Sequence, residues 1–164
     1  MHWCTRKRGL ISAVHNVEFY KLLKTSYGFS RVVLQHGSGA LPALSDPLPQ
    51  GLDVQAYAYK PSLKEDFEAA SVVISHAGTG CILEALGIDK PLLVIVNQSL
   101  MDNHQLELAF ELDTEGYLSM GFVDNLVPKF EELMSGSATK KKLWSDKAPA
   151  TLFSSLITEE LGLQ

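Results

Sequence analysis

A short turn with two glycines is the part of the sequence whose residue types best suit chemistry. It consists of His76, Ala77, Gly78, Thr79 and Gly80. Apolar residues 72–74 precede it and a helical apolar pattern follows it, so the turn is predicted to join a buried strand to a helix. Glycine lets a backbone approach a ligand closely, and the N–H groups at a helix N-terminus attract anions. The pattern predicts a cradle for a phosphate or a diphosphate.

Four more polar side chains are predicted at the same edge of the fold. They are Glu84, Asn103, His104 and Gln105. The helix dipole alone favours an acid near a helix start, yet a carboxylate just beyond a phosphate cradle can also accept both hydroxyls of a ribose. Gln105 matches a capping box with Asp102, while adjacent polar side chains there also suit the hydroxyls of a sugar. Because these groups follow consecutive strands, we expect them to converge on one crevice.

Other nucleotide-binding patterns fit the turn less well. Gly78 and Gly80 begin a dinucleotide fingerprint, but Leu83 occupies its third glycine position and the pattern lies in mid-chain. The turn also lacks the lysine of a P-loop. His76 has a plainer interpretation as well, since a histidine at a strand end can simply cap or fill a turn. The sequence therefore disfavours a dehydrogenase and an ATPase or GTPase.

The composition excludes several classes of protein. The 164 residues carry a formal net charge of −5 and show no basic stripe with interleaved aromatic residues, which argues against nucleic-acid binding. Two cysteines, Cys4 and Cys81, provide neither a disulfide framework nor a metal cluster, and no Asp-x-Asp or other ligand spacing implies a metal. Apolar runs fall short of the roughly 20 residues of a membrane span. We predict a soluble, cytosol-facing protein without metal or cofactor.

Strands and helices are predicted to alternate along the chain. The predicted strands are residues 31–35, 52–59, 72–74, 91–96 and 117–120. The predicted helices are residues ~10–27, 62–70, 79–88, 102–116 and 123–134, with Ser62 and Glu65 forming a capping box. A proline-rich and serine-rich loop covers 40–51, and a polar linker at 135–142 leads to an amphipathic helix at 149–164. This alternation predicts one α/β domain over residues 1–164, built on a doubly wound parallel sheet.

Several of these segments together resemble a known family. The segments are Ser-Leu-Lys-Glu-Asp at 62–66, Val-Ile-Ser-His-Ala-Gly-Thr-Gly at 73–80, Lys-Pro-Leu at 90–92 and Asn-His-Gln-Leu-Glu-Leu-Ala at 103–109. Over about residues 28–120 the chain resembles the family 28 glycosyltransferase C-terminal domain, and within it the small donor-binding subunits of dolichol-linked N-acetylglucosamine (GlcNAc) transferases. The resemblance implies a Rossmann-like fold, the C-terminal, donor-binding half of a GT-B glycosyltransferase.

The resemblance also implies an activity and a set of roles. The expected enzyme adds the second GlcNAc to GlcNAc-diphosphodolichol, with UDP-GlcNAc as donor and no metal. Residues 76–80 would cradle the diphosphate, Glu84 would bind the ribose, and Asn103, His104 and Gln105 would bind the sugar. His36, on a second glycine-bearing loop, is the candidate general base. Residues 149–164 would dock on a membrane-anchored, acceptor-binding subunit, and the heterodimer would lie on the cytosolic face of the endoplasmic reticulum.

The amino-terminal segment departs from the family pattern. The family begins with a strand that runs into a Gly-Thr-Thr-like loop, and residues 1–18 show neither. We therefore expect the sheet to lack its first strand and the donor site to lack one wall. That expectation favours one alternative, a non-catalytic isoform or paralogue that retains partner binding. A UDP-GlcNAc-using, epimerase-like enzyme is a further alternative, disfavoured because half of a GT-B fold lacks a second domain to close the cleft.

Overall fold

The computed structural model describes residues 2–4, 8–38, 40–96 and 103–136. Within these ranges six strands form one parallel sheet. The strands are β1 (His2–Cys4), β2 (Arg31–Gln35), β3 (Asp53–Tyr57), β4 (Val73–His76), β5 (Leu92–Val96) and β6 (Ser119–Phe122). The helices are α1 (Arg8–Val14), α2 (Val17–Thr25), α3 (Lys64–Ala69), α4 (Thr79–Gly87), α5 (Asn103–Thr114) and α6 (Leu126–Met134).

The strand order creates one reversal point in the sheet. The order is β3-β2-β1-β4-β5-β6. Strands β1 to β3 follow one another from the centre of the sheet to one edge, and strands β4 to β6 follow one another from the centre to the other edge. In such doubly wound sheets ligands bind outside the carboxyl ends of the strands, where the order reverses. That point lies between β1 and β4, and the turn at 76–80 follows β4 directly.

Each face of the sheet is covered by its own apolar cluster. Strand β5 shows the arrangement clearly, because all five of its residues are buried. Leu92, Val94 and Val96 belong to one cluster, and Leu93 and Ile95 belong to the other. Successive side chains of a strand point to opposite faces, so a strand covered by helices on both sides reads as a continuous apolar run. The parallel, doubly wound sheet predicted from the sequence is confirmed.

The expected absence of a first strand is wrong. Residues His2–Cys4 form β1 in the middle of the sheet, with His2 level with Val33 of β2 and with Val73 of β4. The strand has three residues, which is too short for an alternating or continuous apolar pattern to be recognised. Its place in the sheet comes from the two strands that flank it rather than from its own residue types.

The helix predicted at ~10–27 is two helices. The break lies at residues 15 and 16, between α1 and α2. Asn16 is the N-cap of α2 in extended conformation, and its Oδ1 accepts a hydrogen bond from the Phe19 N–H at 2.8 Å. Asparagine satisfies an otherwise unpaired N–H in this way. It therefore begins a second helix inside a stretch whose apolar spacing predicts a single continuous helix.

Other boundaries shift by a few residues. The capping box predicted for Ser62 and Glu65 is absent, because α3 begins at Lys64 with Leu63 as N-cap and Ser62 Oγ accepts from the Lys64 N–H at 3.3 Å. The strand predicted at 117–120 forms as β6, two residues later. The helix predicted at 123–134 starts with a 3₁₀ turn, Val123–Asn125, and continues as α6. The helix predicted at 149–164 lies outside the described residues.

Candidate functional site

The turn after β4 is short and tightly bonded. The carbonyl oxygen of His76 accepts two hydrogen bonds, from the Gly78 N–H at 2.7 Å and from the Ser75 hydroxyl at 2.9 Å. The Gly78 carbonyl then accepts from the Ile82 N–H at 3.1 Å, the first helical hydrogen bond of α4. Only Ala77 and Gly78 therefore separate the strand from the helix, so the helix N-terminus lies directly at the reversal point.

This helix N-terminus has the features of an anion cradle. Gly78 is the N-cap of α4 and makes no side-chain cap hydrogen bond. The first N–H groups of a helix lack intrahelical partners, and without an N-cap side chain they are left to a ligand or to solvent. Gly80 is exposed, and a Cβ placed there would meet no atom within 4 Å. The position and form of the turn agree with the predicted phosphate cradle, while phosphate binding stays a prediction.

His76 precedes this N-terminus as the last residue of β4, and Glu84 follows it within α4. The imidazole of His76 packs against the α-carbon of Gly78, which fits the plainer interpretation of a histidine that fills its turn. Glu84 follows Gly80 by four residues and so shares its face of α4. It is half-buried, whereas Ile82 and Ala85 are buried in the core. Glu84 therefore lies on the part of the helix that the core leaves uncovered.

The three polar residues at the start of α5 lie at the same edge of the sheet. Asn103, His104 and Gln105 form the first turn of α5, which follows β5, and β5 is the neighbour of β4. The predicted placement after two adjacent strands is confirmed. The side chains of these three residues lie outside the described part of the structure, so their convergence with the turn at 76–80 stays a prediction.

His36 lies on the other side of the reversal point. It directly follows β2, and its N–H donates to the Tyr57 carbonyl at 3.0 Å. Strands β2 and β4 are separated by β1, and adjacent strands are about 4.8 Å apart. His36 and His76 are thus held about two strand spacings, roughly 10 Å, apart. One strand, β1, therefore separates the backbone of the candidate base from that of the turn.

A cavity that the sequence analysis missed lies beside His36. Its volume is about 390 Å³ and it is lined by Gln35, Gly37, Ser38, Ala58 and Tyr59, residues at the carboxyl ends of β2 and β3. Gln35 is only 4% exposed, and its amide oxygen has no hydrogen-bond partner. The available signal in the sequence was a glutamine at the end of an otherwise apolar run, 32–34.

The segment that follows β3 and borders this cavity is held by polar side-chain contacts with α3. The Tyr57 hydroxyl donates to Asp66 Oδ2 at 2.6 Å, and Lys60 Nζ lies 3.3 Å from the same oxygen. Asp66 belongs to α3, so these contacts hold residues 58–63 between the strand and the helix. Tyr59 lies within that segment and is 66% exposed.

A second histidine lies near the loop that follows β2. His15 Nδ1 is 2.6 Å from the hydroxyl oxygen of Tyr20, and Tyr20 is fully buried. Burial lowers the pKa of His15 and the nearby His36 lowers it further, while a hydrogen bond with the Pro42 backbone opposes this shift. Burial also raises the pKa of Tyr20. The folded protein therefore favours the neutral form of His15.

The described residues contain neither a metal-ligand group nor a membrane-spanning helix. In the ranges 2–4, 8–38, 40–96 and 103–136, no three His, Cys, Asp or Glu side chains form a group that could hold a metal ion. Over the same part of the chain, no helix has the length and apolar character needed to cross a membrane.

Comparison with known sequences identifies related proteins. The profile of the glycosyltransferase family 28 C-terminal domain matches residues 5–160. The human UDP-N-acetylglucosamine transferase subunit ALG13 is 48% identical over 94 residues, which are 57% of this chain and 8% of the human protein. The protein of the same name from Eremothecium gossypii is 34% identical over 135 residues, 67% of this chain and 66% of that protein. The chain thus spans a small part of the human relative and about two thirds of the fungal one.

Solved structures share the fold. An NMR solution structure of ALG13 has a TM-score of 0.64 at 26% identity and covers 98% of this chain and 92% of its own. Acinetobacter baumannii MurG has a TM-score of 0.57 at 17% identity, with 98% of this chain and 42% of MurG covered. The glycosyltransferase SnogD from Streptomyces nogalater has a TM-score of 0.60 at 20% identity, with 95% and 39% covered. The predicted Rossmann-like half of a GT-B glycosyltransferase is confirmed as the fold.

Proposed function

The chain belongs to the glycosyltransferase family 28 C-terminal domain family, and from this membership we propose that it is the UDP-GlcNAc-binding subunit of an N-acetylglucosaminyltransferase. The proposed reaction adds the second GlcNAc to GlcNAc-diphosphodolichol. One observation carries the proposal. The glycine-bearing turn at 76–80 directly follows the strand at which the strand order reverses, which is where a sheet of this kind binds a nucleotide.

Each predicted site residue has a role in this proposal. Residues 76–80 and the α4 N-terminus hold the diphosphate, and Glu84 binds the ribose. Asn103, His104 and Gln105 contact the transferred sugar. His36 is the proposed general base. Helix N-termini aimed at the departing UDP offset the charge that develops on it, so the proposal includes no metal and no cofactor.

The second part of the proposal concerns the acceptor. The relatives from human and Eremothecium gossypii are named as subunits of a transferase, which implies a partner chain. We take the partner to be a membrane-anchored subunit that binds the dolichol-linked acceptor on the cytosolic face of the endoplasmic reticulum. Residues 149–164 are the proposed docking segment for this heterodimer.

A non-catalytic binding subunit is the alternative that a specific observation favours. Residues 5–7, which follow β1, are Thr-Arg-Lys rather than a Gly-Thr-Thr-like loop. The other argument for this alternative, a missing first strand, no longer holds because β1 is in place. The proposed enzyme and the non-catalytic alternative would bind the donor at the same site, and only the enzyme would transfer the sugar.

Donor binding and sugar transfer are measured separately to test the proposal. The full chain is co-expressed with the acceptor-binding subunit, titrated with UDP-GlcNAc by calorimetry and assayed with a GlcNAc-diphosphodolichol analogue. Binding with transfer supports the proposed enzyme, whereas binding without transfer supports the non-catalytic alternative. No binding signal would show that the donor-site assignment is wrong. A chain without residues 149–164 that still co-purifies with the partner would refute the docking role alone.

A further inference from the structure

His15 connects parts of the fold that are far apart in the sequence. It lies between α1 and α2, and its Nδ1 is 2.6 Å from the hydroxyl oxygen of the fully buried Tyr20. The two rings are in edge-to-face contact, with centroids 5.7 Å apart. His15 also makes a hydrogen bond with the backbone of Pro42, an exposed residue in the loop between β2 and β3. One imidazole therefore links this loop to the core.

The hydrogen bond with Pro42 determines which atoms donate and accept. Proline has no backbone N–H, so the Pro42 carbonyl oxygen accepts and a ring nitrogen of His15 donates. A neutral imidazole has one N–H donor and one acceptor nitrogen. It can therefore donate to Pro42 and accept from the Tyr20 hydroxyl at the same time. A protonated imidazole has two donors and can no longer accept from Tyr20.

The same loop has two other attachments to the fold. At its start, the His36 N–H donates to the Tyr57 carbonyl at 3.0 Å. Further along, Leu41 and Leu44 pack, partly buried, against the apolar cluster that α1 and α2 share. Apolar packing is non-directional, so the hydrogen bond from His15 is what fixes the orientation of the Pro42 peptide between these two leucines.

The groups around His15 favour its neutral form. Burial lowers the pKa of His15, the hydrogen bond with Pro42 opposes this, and the nearby His36 lowers the pKa further. Tyr20 and His36 are the titratable groups that face His15. The charged residues on the adjoining elements are Arg8 of α1, Glu18, Lys21 and Lys24 of α2, and Asp46 of the loop.

These charged residues have other places or partners. Arg8 begins α1, about two turns before His15. Lys21 forms an ion pair with Glu18 at 2.8 Å and also interacts with Asp46. Lys24 donates to the Gly51 carbonyl at 3.0 Å.

We propose that His15 is a positioning residue that anchors the β2–β3 loop beside His36. In its neutral form, Nδ1 accepts from the Tyr20 hydroxyl and the other ring nitrogen donates to the Pro42 carbonyl. Gly37 and Ser38, which follow His36, line the cavity at this edge of the sheet, so the anchor acts on the surroundings of the proposed general base. The effect on sugar transfer rests on the proposed function, whereas the anchor itself does not.

Protonation of His15 should release the loop. The charged ring is favoured by water, and it no longer offers an acceptor to the buried Tyr20 hydroxyl. We therefore expect protonated His15 to turn toward solvent, which breaks its hydrogen bond with Pro42. The loop should become mobile as pH falls through the folded-state pKa of His15.

NMR relaxation of the full chain without donor tests the anchor directly. At about pH 7.5 the backbone order parameters of Leu44 and Ser45 should be about 0.8 in the native chain and below about 0.6 in His15→Ala. Ser12→Ala, at an exposed position of α1, is the control and should keep the native order. Unchanged order in His15→Ala would overturn the inference.

The pH dependence distinguishes the anchor from a general packing role. Between about pH 7.5 and 5, the native loop should lose order with the same midpoint as the NMR titration of the His15 ring. His15→Gln keeps one acceptor oxygen and an N–H donor group but does not titrate, so its loop should stay ordered throughout. A His15 ring that titrates while the loop stays ordered would also overturn the inference.

Sugar transfer by the complex with the acceptor-binding subunit tests the positioning role. His15→Ala should lower kcat by up to about tenfold, the equivalent of one hydrogen bond, and His15→Gln should restore it. In a His36→Asn background, His15→Ala should have little further effect, because coupled residues are not additive. Equal losses in both backgrounds would refute the positioning role. If the native complex transfers no sugar, the proposed function and the positioning role fail together, and the NMR result still decides whether His15 anchors the loop.

Discussion

The imidazole of His76 covers the α-carbon of Gly78 so closely that a Cβ at position 78 would lie 2.6 Å from His76 Nε2. The backbone of Gly78 does not itself demand glycine, because its φ of −86° and ψ of 121° are open to any residue. The requirement for glycine comes instead from the neighbouring side chain. The shape of the anion cradle and the position of His76 are therefore coupled.

Gly78→Ala should displace the His76 ring. The clash involves a side chain that can rotate, so we expect the turn to survive with a loss of about 1 kcal/mol in unfolding free energy. The displaced ring should also lower the affinity for UDP-GlcNAc, since it changes the surface that faces the phosphates. Urea unfolding, the NMR shifts of the His76 ring and calorimetry measure the three effects. An unmoved His76 ring would contradict the coupling.

Gly80→Ala is the matched control for the unliganded protein. A Cβ at position 80 meets nothing within 4 Å, and the residue lies inside α4. Alanine is a better helix former than glycine, so unfolding free energy should rise by up to about 1 kcal/mol. The His76 ring should keep its native shifts. Destabilisation of both variants alike would mean that contact with His76 is not the cause.

Glu84→Gln tests the proposed ribose contact. The substitution keeps the size but removes the charge and replaces one of the two acceptor oxygens with an N–H donor group, and hydrogen bonds to charged groups are worth about 1.5–3 kcal/mol. We expect UDP and UDP-GlcNAc to bind at least about tenfold more weakly, with little change in stability because Glu84 is only half-buried. Glu111→Gln, at an exposed position of α5, is the control. Equal affinities of the two variants would remove Glu84 from the donor site.

His36→Asn tests the proposed general base. A general base typically contributes about 10²- to 10⁴-fold to the rate, so the variant should lose kcat by such a factor while the KM for UDP-GlcNAc changes little. The measurement is steady-state transfer by the complex with its acceptor subunit. An unchanged kcat would assign the chemistry elsewhere.

The stability of the protein should fall as the solution becomes acidic, partly through His15. Burial lowers the pKa of His15 in the folded state, so between that value and about 6.5 the unfolded chain binds more protons than the folded one. Unfolding free energy therefore rises with pH in this window. The contribution of His15 is fully present above pH 6.5 or so and is lost as pH falls through the folded-state pKa.

Thermal unfolding at a series of pH values from about 5 to 7.5 measures this contribution of His15. The native chain should have a lower unfolding temperature at about pH 5 than at about pH 7.5. In His15→Gln this difference in unfolding temperature should be smaller. Lys24→Gln, a change on the same helix as Tyr20, should keep the native difference. If His15→Gln also keeps it, the pH dependence originates elsewhere.

Secondary structure could be predicted from the sequence where a buried element has a long run of apolar residues. The run at 91–96 predicts a strand buried on both faces, and β5 is such a strand. Residues 2–4 carry no comparable pattern, and only the pairing of β1 with two longer strands reveals them. The orphaned oxygen of Gln35 was also beyond prediction, because a missing partner depends on every side chain packed around it. Glycines 78 and 80 look alike in the sequence, and only the position of His76 distinguishes them.

A three-residue strand joins the two halves of this sheet. β1 is the only connection by hydrogen bonds between β2 and β4 in the described part of the chain, so without it the sheet would part into a two-stranded piece (β2 and β3) and a three-stranded piece (β4, β5 and β6). The proposed nucleotide site would be divided at the same place. Removing residues 2–4 (β1), as trimming of a terminus for crystallisation can do, should consequently weaken the proposed donor binding, although none of the proposed contact residues would be removed.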